Sequence, residues 1–157
     1  MVESSKPTVL ITGVSGYLGS HVALVYLKDG SFNVKGTVRD TKNEKKIEPL
    51  RKAFGDLFDK MTLVEADLDN PESLMNAIEG AEFVIHTASP FPLKKPKSEM
   101  DLINPAVNGT TAVMEACKVH KVKKVVITSS IMACIQVKQA DKPKDWTYDE
   151  KNWSDAS

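Results

Sequence analysis

Three glycines spaced three residues apart lie near the N-terminus, directly after the apolar run Val9-Leu10-Ile11. They are Gly13, Gly16 and Gly19. A turn without side chains at the start of a helix lets backbone N–H groups approach a phosphate, and the helix dipole attracts its negative charge. Because the motif lies between a strand-like run and a helix-like pattern, it predicts a binding site for the pyrophosphate of a dinucleotide. A glycine-capped turn that holds no ligand is the alternative interpretation.

The second strand-like run ends at Arg39 and Asp40, the position that meets the adenine ribose in a dinucleotide-binding sheet. An acid there accepts hydrogen bonds from the ribose hydroxyls and favours NAD. A guanidinium there binds the 2′-phosphate bidentately and favours NADP. Arg39 therefore favours NADP over NAD, and three lysines add positive charge: Lys42, Lys45 and Lys46. Lys42 and Lys45 also fit a solvated helix face.

Polar and small residues follow the next two strand-like runs. Asp67, after the third run, is placed to accept a hydrogen bond from the adenine amine, although an ordinary loop aspartate is the alternative. Thr87, Ala88 and Ser89 follow the fourth run, where small side chains let the backbone approach the cofactor. His86 at the end of that run is interpreted as a structural histidine rather than a catalyst.

Short apolar runs alternate with helical patterns along the chain. This alternation predicts an α/β fold, a doubly wound parallel sheet of the Rossmann type with strand order 3-2-1-4-5, ending after strand five. The predicted strands span residues 9–12, 34–38, 62–64, 83–85 and 125–127.

Apolar residues at steps of three and four predict the buried faces of four helices. Asn70 before Pro71 predicts the start of the third helix, and Pro105 marks either the start of the fourth or a kink in it. The predicted buried residues are Leu18, Val22 and Val25 in the first helix, Ile47, Leu50, Phe54 and Leu57 in the second, Leu74, Ala77 and Ile78 in the third, and Ile103, Val107, Thr110, Met114 and Cys117 in the fourth.

Composition places the chain among cytoplasmic globular proteins. The 21 basic and 21 acidic residues cancel, which gives no reason to expect nucleic acid or an anionic membrane as a partner. The chain of 157 residues has two cysteines and no stretch of roughly 18 apolar residues. We expect a Rossmann domain over residues 1–135, a polar segment over 136–157, and no metal site.

These strings together resemble the extended short-chain dehydrogenase/reductase family, in the branch of dihydroflavonol and cinnamoyl-CoA reductases. The resemblance implies NADP-dependent reduction of a small-molecule carbonyl, or oxidation of an alcohol in reverse. The strings that carry it are Val9 to Gly19, Thr37-Val38-Arg39-Asp40, Ala66-Asp67-Leu68, His86 to Pro90, Asn104 to Thr110, Val126 to Ser130, Tyr148-Asp149-Glu150 and Trp153-Ser154-Asp155.

The resemblance also implies roles for single residues. Ser130 matches the catalytic serine that holds the substrate oxygen while charge develops on it, with Ser129 as the second candidate and a buried structural hydroxyl as the alternative. The implied cofactor contacts are Gly13, Ser15, Gly16, Tyr17, Leu18 and Gly19 at the pyrophosphate, Arg39 and Lys46 at the 2′-phosphate, Asp67 and Leu68 at the adenine, and Thr87, Ala88 and Ser89 along the nicotinamide half.

One departure from the family limits these expectations. The family uses a tyrosine with a lysine four residues later, but Tyr17, Tyr26 and Tyr148 are each followed at that spacing by another residue type. In the family this pair comes shortly after the Trp-Ser-Asp string, and here the sequence ends at Ser157. We therefore expect a fragment that binds cofactor weakly, turns over little substrate and leaves strand five exposed at a sheet edge. A complete short form is the alternative.

Two other functions remain open from the sequence. A nucleotide-sugar epimerase or dehydratase, or a hydroxysteroid dehydrogenase, belongs to the same wider family, although Arg39 counts against the NAD that these often prefer. A non-catalytic dinucleotide-binding module needs no Tyr-x-x-x-Lys pair and is compatible with the sequence as it stands. The oligomeric state is not predicted.

Overall fold

The computed structural model describes residues 6–90, 96–134, 146–149 and 151–154. The chain divides into two compact units, Met1–Ile127 and Thr128–Ser157. The first unit holds every strand and long helix of the described residues. The predicted polar segment 136–157 lies mostly outside the described residues, and the predicted boundary after residue 135 stays a prediction.

A parallel sheet of five strands in the order β3-β2-β1-β4-β5 forms the centre of the first unit. The predicted fold class and strand order are therefore confirmed. The strands are β1 (Thr8–Thr12), β2 (Asn33–Val38), β3 (Met61–Glu65), β4 (Phe83–His86) and β5 (Lys124–Ile127). Each lies within one residue of its predicted bounds, because buried parallel strands read as short continuous apolar runs.

Four helices cover the two faces of the sheet. They are α1 (Tyr17–Asp29), α2 (Glu44–Phe54), α3 (Pro71–Ile78) and α4 (Met100–Val119), with short 3-10 helices at Gly55–Lys60 and Ile131–Ala133. Alternate residues of β1 serve the two faces: Val9 and Ile11 pack in the core cluster with α1 and α2, whereas Leu10 packs in the cluster with α3 and α4. This arrangement leaves the carboxyl ends of the strands free to form a site.

The helix ends follow the predicted signals. The Asn70 side chain accepts a hydrogen bond from the Ser73 backbone N–H at 3.2 Å, and Pro71 occupies the first turn of α3. Gly30 ends α1 in the left-handed conformation with φ of 71°. The predicted buried residues of α3 are confirmed as Leu74, Ala77 and Ile78.

The predicted buried face of α1 is wrong. Leu18 and Val25 are 45% and 65% exposed, and Val22 is only partly buried. The buried positions are instead Gly19, Ala23 and Leu27, one or two residues further along the helix. Apolar size directed the prediction to the large residues, whereas Gly19 lies too close to the Gly13 carbonyl and the Thr87 side chain to carry a Cβ, and Ala23 is fully buried.

The predicted face of α4 is wrong for the same reason, and two bounds also differ. The buried residues of α4 are Gly109, Val113, Ala116 and Cys117, so of the predicted stripe only Cys117 is buried. A Cβ atom on Gly109 would lie 2.9 Å from the Leu68 Cβ, which shows that a small residue is needed at this contact. Pro105 lies inside α4 rather than at its start, and Leu57 lies in the 3-10 helix after α2 rather than in α2.

Candidate functional site

A cleft of about 560 Å³ lies in the first unit, where the loops after β1, β2, β3 and β4 come together. We call it the glycine-turn cleft. It brings together every predicted cofactor residue except Tyr17, Leu18 and Gly19. Its lining residues are Thr12, Gly13, Ser15, Gly16, Thr37, Val38, Arg39, Asp40, Asn43, Lys46, Ala66, Asp67, Leu68, Asp69, Leu74, Thr87, Ala88, Ser89 and Pro90.

The glycine turn is fixed to the strands on both sides of it. Gly13 has φ of +71°, a conformation that side-chain-bearing residues rarely adopt, and an added Cβ would lie 3.1 Å from Ala88. The Gly13 N–H donates to Thr37 Oγ1 at 3.0 Å, and the Val14 N–H donates to the Thr37 carbonyl at 3.1 Å. The turn after β1 is therefore held against the end of β2, beside the loop that carries Arg39.

The other two glycines have different surroundings. An added Cβ on Gly19 would overlap the Gly13 carbonyl oxygen and lie 2.8 Å from Thr87 Oγ1, so Gly19 is required for packing. An added Cβ on Gly16 would meet only the Gly13 carbonyl oxygen, at 3.3 Å. Gly16 is exposed and lines the cleft at the N-terminal end of α1, which leaves room there for a ligand to approach the backbone.

Tyr17 and Leu18, also predicted to contact the cofactor, lie in the first turn of α1 and do not line the glycine-turn cleft. The Tyr17 side chain is 85% exposed, and its ring contacts the ring of His21. Tyr17 and Leu18 were predicted to contact the pyrophosphate, and their role in cofactor binding stays a prediction.

Three charged residues line the cleft beyond the end of β2: Arg39, Asp40 and Lys46. Arg39 and Lys46 have no hydrogen-bond or salt-bridge partner for their side chains among the described residues. Asp40 Oδ1 accepts a hydrogen bond from the Lys42 backbone N–H at 2.8 Å. The carboxylate thus caps its own turn, whereas the guanidinium and the ammonium are available to an anion.

The loop after β3 is held by the start of α3. The Asp67 backbone N–H donates to Ser73 Oγ at 3.0 Å, and Asp67 Oδ1 accepts from the Asp69 N–H at 3.1 Å. Both Asp67 and Leu68 are half-buried and line the cleft, as predicted for contacts to an adenine.

A buried hydrogen-bond network joins the ends of β1 and β4. Thr12 Oγ1 accepts hydrogen bonds from the Thr87 and Ala88 N–H groups, at 3.1 and 3.0 Å, and lies 2.8 Å from His86 Nδ1. With both lone pairs in use, the Thr12 hydroxyl donates its hydrogen to Nδ1, so that His86 is neutral and carries its proton on Nε2. Burial lowers the pKa of His86, which is 3% exposed, and this favours the same neutral form. The interpretation of His86 as structural agrees with this network.

The sequence analysis missed two residues of the site, Thr12 and Thr37. Thr12 is the last residue of β1 and Thr37 lies in β2, and they are 1% and 3% exposed. A buried hydroxyl in a strand must be hydrogen-bonded, and here each one fixes the backbone of a loop that lines the cleft. For Thr12, a threonine directly after the apolar run Val9-Leu10-Ile11 was the available signal, whereas β2 mixes polar and apolar residues and gave no comparable signal for Thr37.

Ser130, the predicted catalytic serine, belongs to the second unit. Its Oγ accepts a hydrogen bond from the Met132 N–H at 3.2 Å and caps the short 3-10 helix Ile131–Ala133. In the same unit, Ser154 Oγ donates to the Met132 carbonyl at 2.8 Å. The exposed Ser130 hydroxyl has a local structural role, and its catalytic role stays a prediction.

Neither a cluster of metal ligands nor a membrane-spanning helix occurs among the described residues. No group of three or more His, Cys, Asp or Glu side chains in these ranges could hold a metal ion. In the same ranges, no helix combines the length and the apolar character required to cross a bilayer.

Two curated plant reductases align with nearly the whole chain. Bifunctional dihydroflavonol 4-reductase/flavanone 4-reductase of Malus domestica is 37% identical over 153 residues, which cover 97% of this chain and 42% of the relative. Tetraketide alpha-pyrone reductase 1 of Arabidopsis thaliana is 37% identical over 154 residues, which cover 98% of this chain and 46% of the relative. The chain therefore spans less than half the length of these relatives.

Two solved structures of reductases also match nearly the whole of this chain and less than half of their own length. Yeast methylglyoxal/isovaleraldehyde reductase Gre2, complexed with NADPH, matches with a TM-score of 0.79 and 30% identity over 96% of this chain and 44% of that one. Vestitone reductase from alfalfa matches with a TM-score of 0.71 and 32% identity, over 96% of this chain and 43% of that one. A model of the 3-beta hydroxysteroid dehydrogenase/isomerase family matches residues 10–156. The resemblance to reductases of the dihydroflavonol type is thus confirmed, and the chain belongs to the 3-beta hydroxysteroid dehydrogenase/isomerase family.

Proposed function

We propose that this chain is the NADP-binding N-terminal portion of a reductase that acts on a small-molecule carbonyl, or on an alcohol in reverse. One observation carries the proposal: Arg39 and Lys46 line the glycine-turn cleft and have no side-chain partner among the described residues, next to Asp40, whose Oδ1 accepts a hydrogen bond within its own turn. Two free cations at the ribose end of a dinucleotide site are suited to a 2′-phosphate, which NADP has and NAD lacks.

The proposal assigns each part of the cofactor to residues that line the cleft or the start of α1. The open side of Gly16 leaves space for the pyrophosphate at the start of α1. Asp67 and Leu68 would contact the adenine, and Thr87 to Ser89 would lie along the nicotinamide half, held in place by Thr12. When bound, NADPH supplies a hydride; the residues of this chain bind and orient the cofactor.

The substrate side of the reaction is a further proposal. Ser130 would hold the substrate oxygen by a hydrogen bond, as the resemblance implies. The printed sequence contains no tyrosine followed four residues later by a lysine, so we expect cofactor binding with little turnover from these 157 residues alone. We also propose a cytoplasmic location and a division of labour in which residues 1–135 bind cofactor and 136–157 lead towards the catalytic residues.

Two alternative functions are kept. A non-catalytic dinucleotide-binding module needs no Tyr-x-x-x-Lys pair, and it would bind NADP equally well without turning over substrate. An NAD-dependent epimerase or hydroxysteroid dehydrogenase would instead predict equal or tighter binding of NAD. Comparison of the two cofactors therefore separates the NAD-dependent alternative from the main proposal, and adding the Tyr-x-x-x-Lys region from a relative tests for a catalytic role.

Calorimetric titration of the chain with NADP and with NAD tests the cofactor proposal. Arg39→Ala should weaken NADP binding by roughly 10- to 100-fold, because charge-assisted bonds to the phosphate are lost, and should change NAD binding less than twofold. Lys45→Ala is the matched control, since Lys45 does not line the glycine-turn cleft and its neighbour Lys46 does. Equal losses for both cofactors would remove the case for NADP.

A further inference from the structure

Glu65, at the end of β3, is bound to the loop that follows β2. One carboxylate oxygen, Glu65 Oε1, accepts hydrogen bonds from the Thr41 backbone N–H at 3.0 Å and from Thr41 Oγ1 at 2.6 Å. Thr41 comes two residues after Arg39. We propose that Glu65 is a positioning residue that holds the segment Arg39-Asp40-Thr41 so that Arg39 meets the 2′-phosphate. The inference rests on the proposed function.

The segment Arg39-Asp40-Thr41 is held at both ends. At its start, the Ala66 N–H donates to the Val38 carbonyl at 2.9 Å, and Val38 pairs with Glu65 in the sheet. At its end, Thr41 is bound to the side chain of the same Glu65. Arg39 and Asp40 therefore lie between two supports that belong to neighbouring residues, Glu65 at the end of β3 and Ala66 directly after it. Loss of the Thr41 support would leave the loop attached to β3 on one side only.

The other hydrogen bonds made by the loop after β2 join residues of that same loop. Asp40 Oδ1 accepts from the Lys42 N–H, and the Asp40 carbonyl accepts from the Asn43 N–H at 3.4 Å. These bonds shape a turn, but they do not fix the position of that turn relative to the sheet. The bond to Glu65 does, and a guanidinium must be well placed to bind a phosphate bidentately.

The charge of Glu65 allows a positioning effect to be distinguished from an electrostatic effect on phosphate binding. The hydrogen bonds from the Thr41 hydroxyl and backbone N–H lower the pKa of Glu65, so the carboxylate is ionised near neutral pH. An anion near a phosphate site weakens phosphate binding if charge alone is considered. Positioning and charge therefore predict opposite results when Glu65 is removed.

Four substitutions separate the two effects. Glu65→Gln removes the charge but keeps an oxygen that accepts both bonds from Thr41, and Glu65→Ala removes the charge and the bonds. Thr41→Val removes the hydroxyl donor, whereas Thr41→Ser retains it. Thermal melting of each variant checks that the fold is retained, since both residues lie at the surface or are half-buried.

Titration with NADP and NAD is the test. We expect Glu65→Ala and Thr41→Val to weaken NADP binding by about 3- to 10-fold, with NAD binding changed less than twofold, while Glu65→Gln and Thr41→Ser bind as the original chain does. In an Arg39→Ala background, Glu65→Ala should have no further effect on NADP binding, because the positioned group is gone.

Several results would contradict the positioning role of Glu65, and each has a different meaning. Tighter NADP binding by Glu65→Ala would mean that charge dominates, and equal losses for both cofactors or no change at all would also overturn the inference. An additive loss in the Arg39→Ala background would mean that Glu65 does not act through Arg39. If the original chain does not bind NADP, the proposed function fails; if it binds and Glu65→Ala is without effect, only the positioning role fails.

Discussion

Replacement of Gly16 by valine separates ligand binding from folding at the glycine turn. Gly16 has φ of −88° and ψ of 166°, extended values that valine adopts readily. An added Cβ would meet only the Gly13 carbonyl oxygen, at 3.3 Å, a close contact that requires a shift of a few tenths of an ångström, and Gly16 lines the glycine-turn cleft. The substitution should therefore leave the chain folded and obstruct the approach of the pyrophosphate.

The expected magnitudes follow from this geometry. Valine is a poorer residue than glycine at the N-terminal cap of a helix, so the free energy of unfolding should fall by about 1 kcal/mol. Two charge-assisted hydrogen bonds from backbone N–H groups to phosphate, each contributing roughly 1.5–3 kcal/mol, would be lost. Their loss corresponds to binding at least about 100-fold weaker for NADP and for NAD alike.

Urea unfolding and calorimetric titration measure the two quantities on the same sample. Gly19→Ala is the contrasting variant, because its Cβ would overlap the Gly13 carbonyl oxygen inside the fold. It should lower the free energy of unfolding by about 1–3 kcal/mol or more. Unchanged cofactor affinity in folded Gly16→Val would refute the reasoning, since the turn would then hold no ligand. Unfolding of Gly16→Val would refute the claim that this position is sterically open.

Two further predictions concern stability. Because burial lowers the pKa of His86 from its ordinary value of 6.5, the unfolded chain takes up the proton first, and the free energy of unfolding should decrease as the pH falls below 6.5. The slope is at most about 1.4 kcal/mol per pH unit; urea unfolding at several pH values should show it in the original chain and in His21→Asn but not in His86→Asn, and an unchanged slope in His86→Asn would contradict it. Asn70→Ala should cost about 1 kcal/mol through loss of the α3 cap, with Asn70→Asp close to the original chain in the same assay, and equal stability of all three would argue against the cap.

The sheet could be predicted from the sequence almost completely, because a buried parallel strand leaves an uninterrupted apolar run such as Val9-Leu10-Ile11. The faces of α1 and α4 could not be predicted in the same way. Close contacts with loops select small residues at Gly19, which meets the turn after β1, and at Gly109, which meets Leu68 after β3, and a search for large apolar side chains overlooks them. Tertiary contact distance decided these faces, and no local pattern carries that information.

The candidate site could likewise be predicted from the sequence only in part. Arg39 and Lys46 could be assigned from their position after a strand, because the topology alone brings strand ends together. The engagement of Asp40 by its own turn and the bond from Thr41 to Glu65 could not be assigned, since they depend on side-chain rotamers and on two segments 24 residues apart. These contacts shape the loop that carries the two neighbouring charges, Arg39 and Asp40.

The central claim is that the glycine-turn cleft binds NADP by its backbone N–H groups and by Arg39. Titration of the ¹⁵N-labelled chain with NADP, followed by two-dimensional NMR, tests it most directly. We predict large shifts of the backbone resonances of Ser15, Gly16 and Tyr17 and of the Arg39 side chain, with the Arg39 shift absent when NAD is used. Shifts confined to residues outside the cleft, or none at millimolar NADP, would contradict the account.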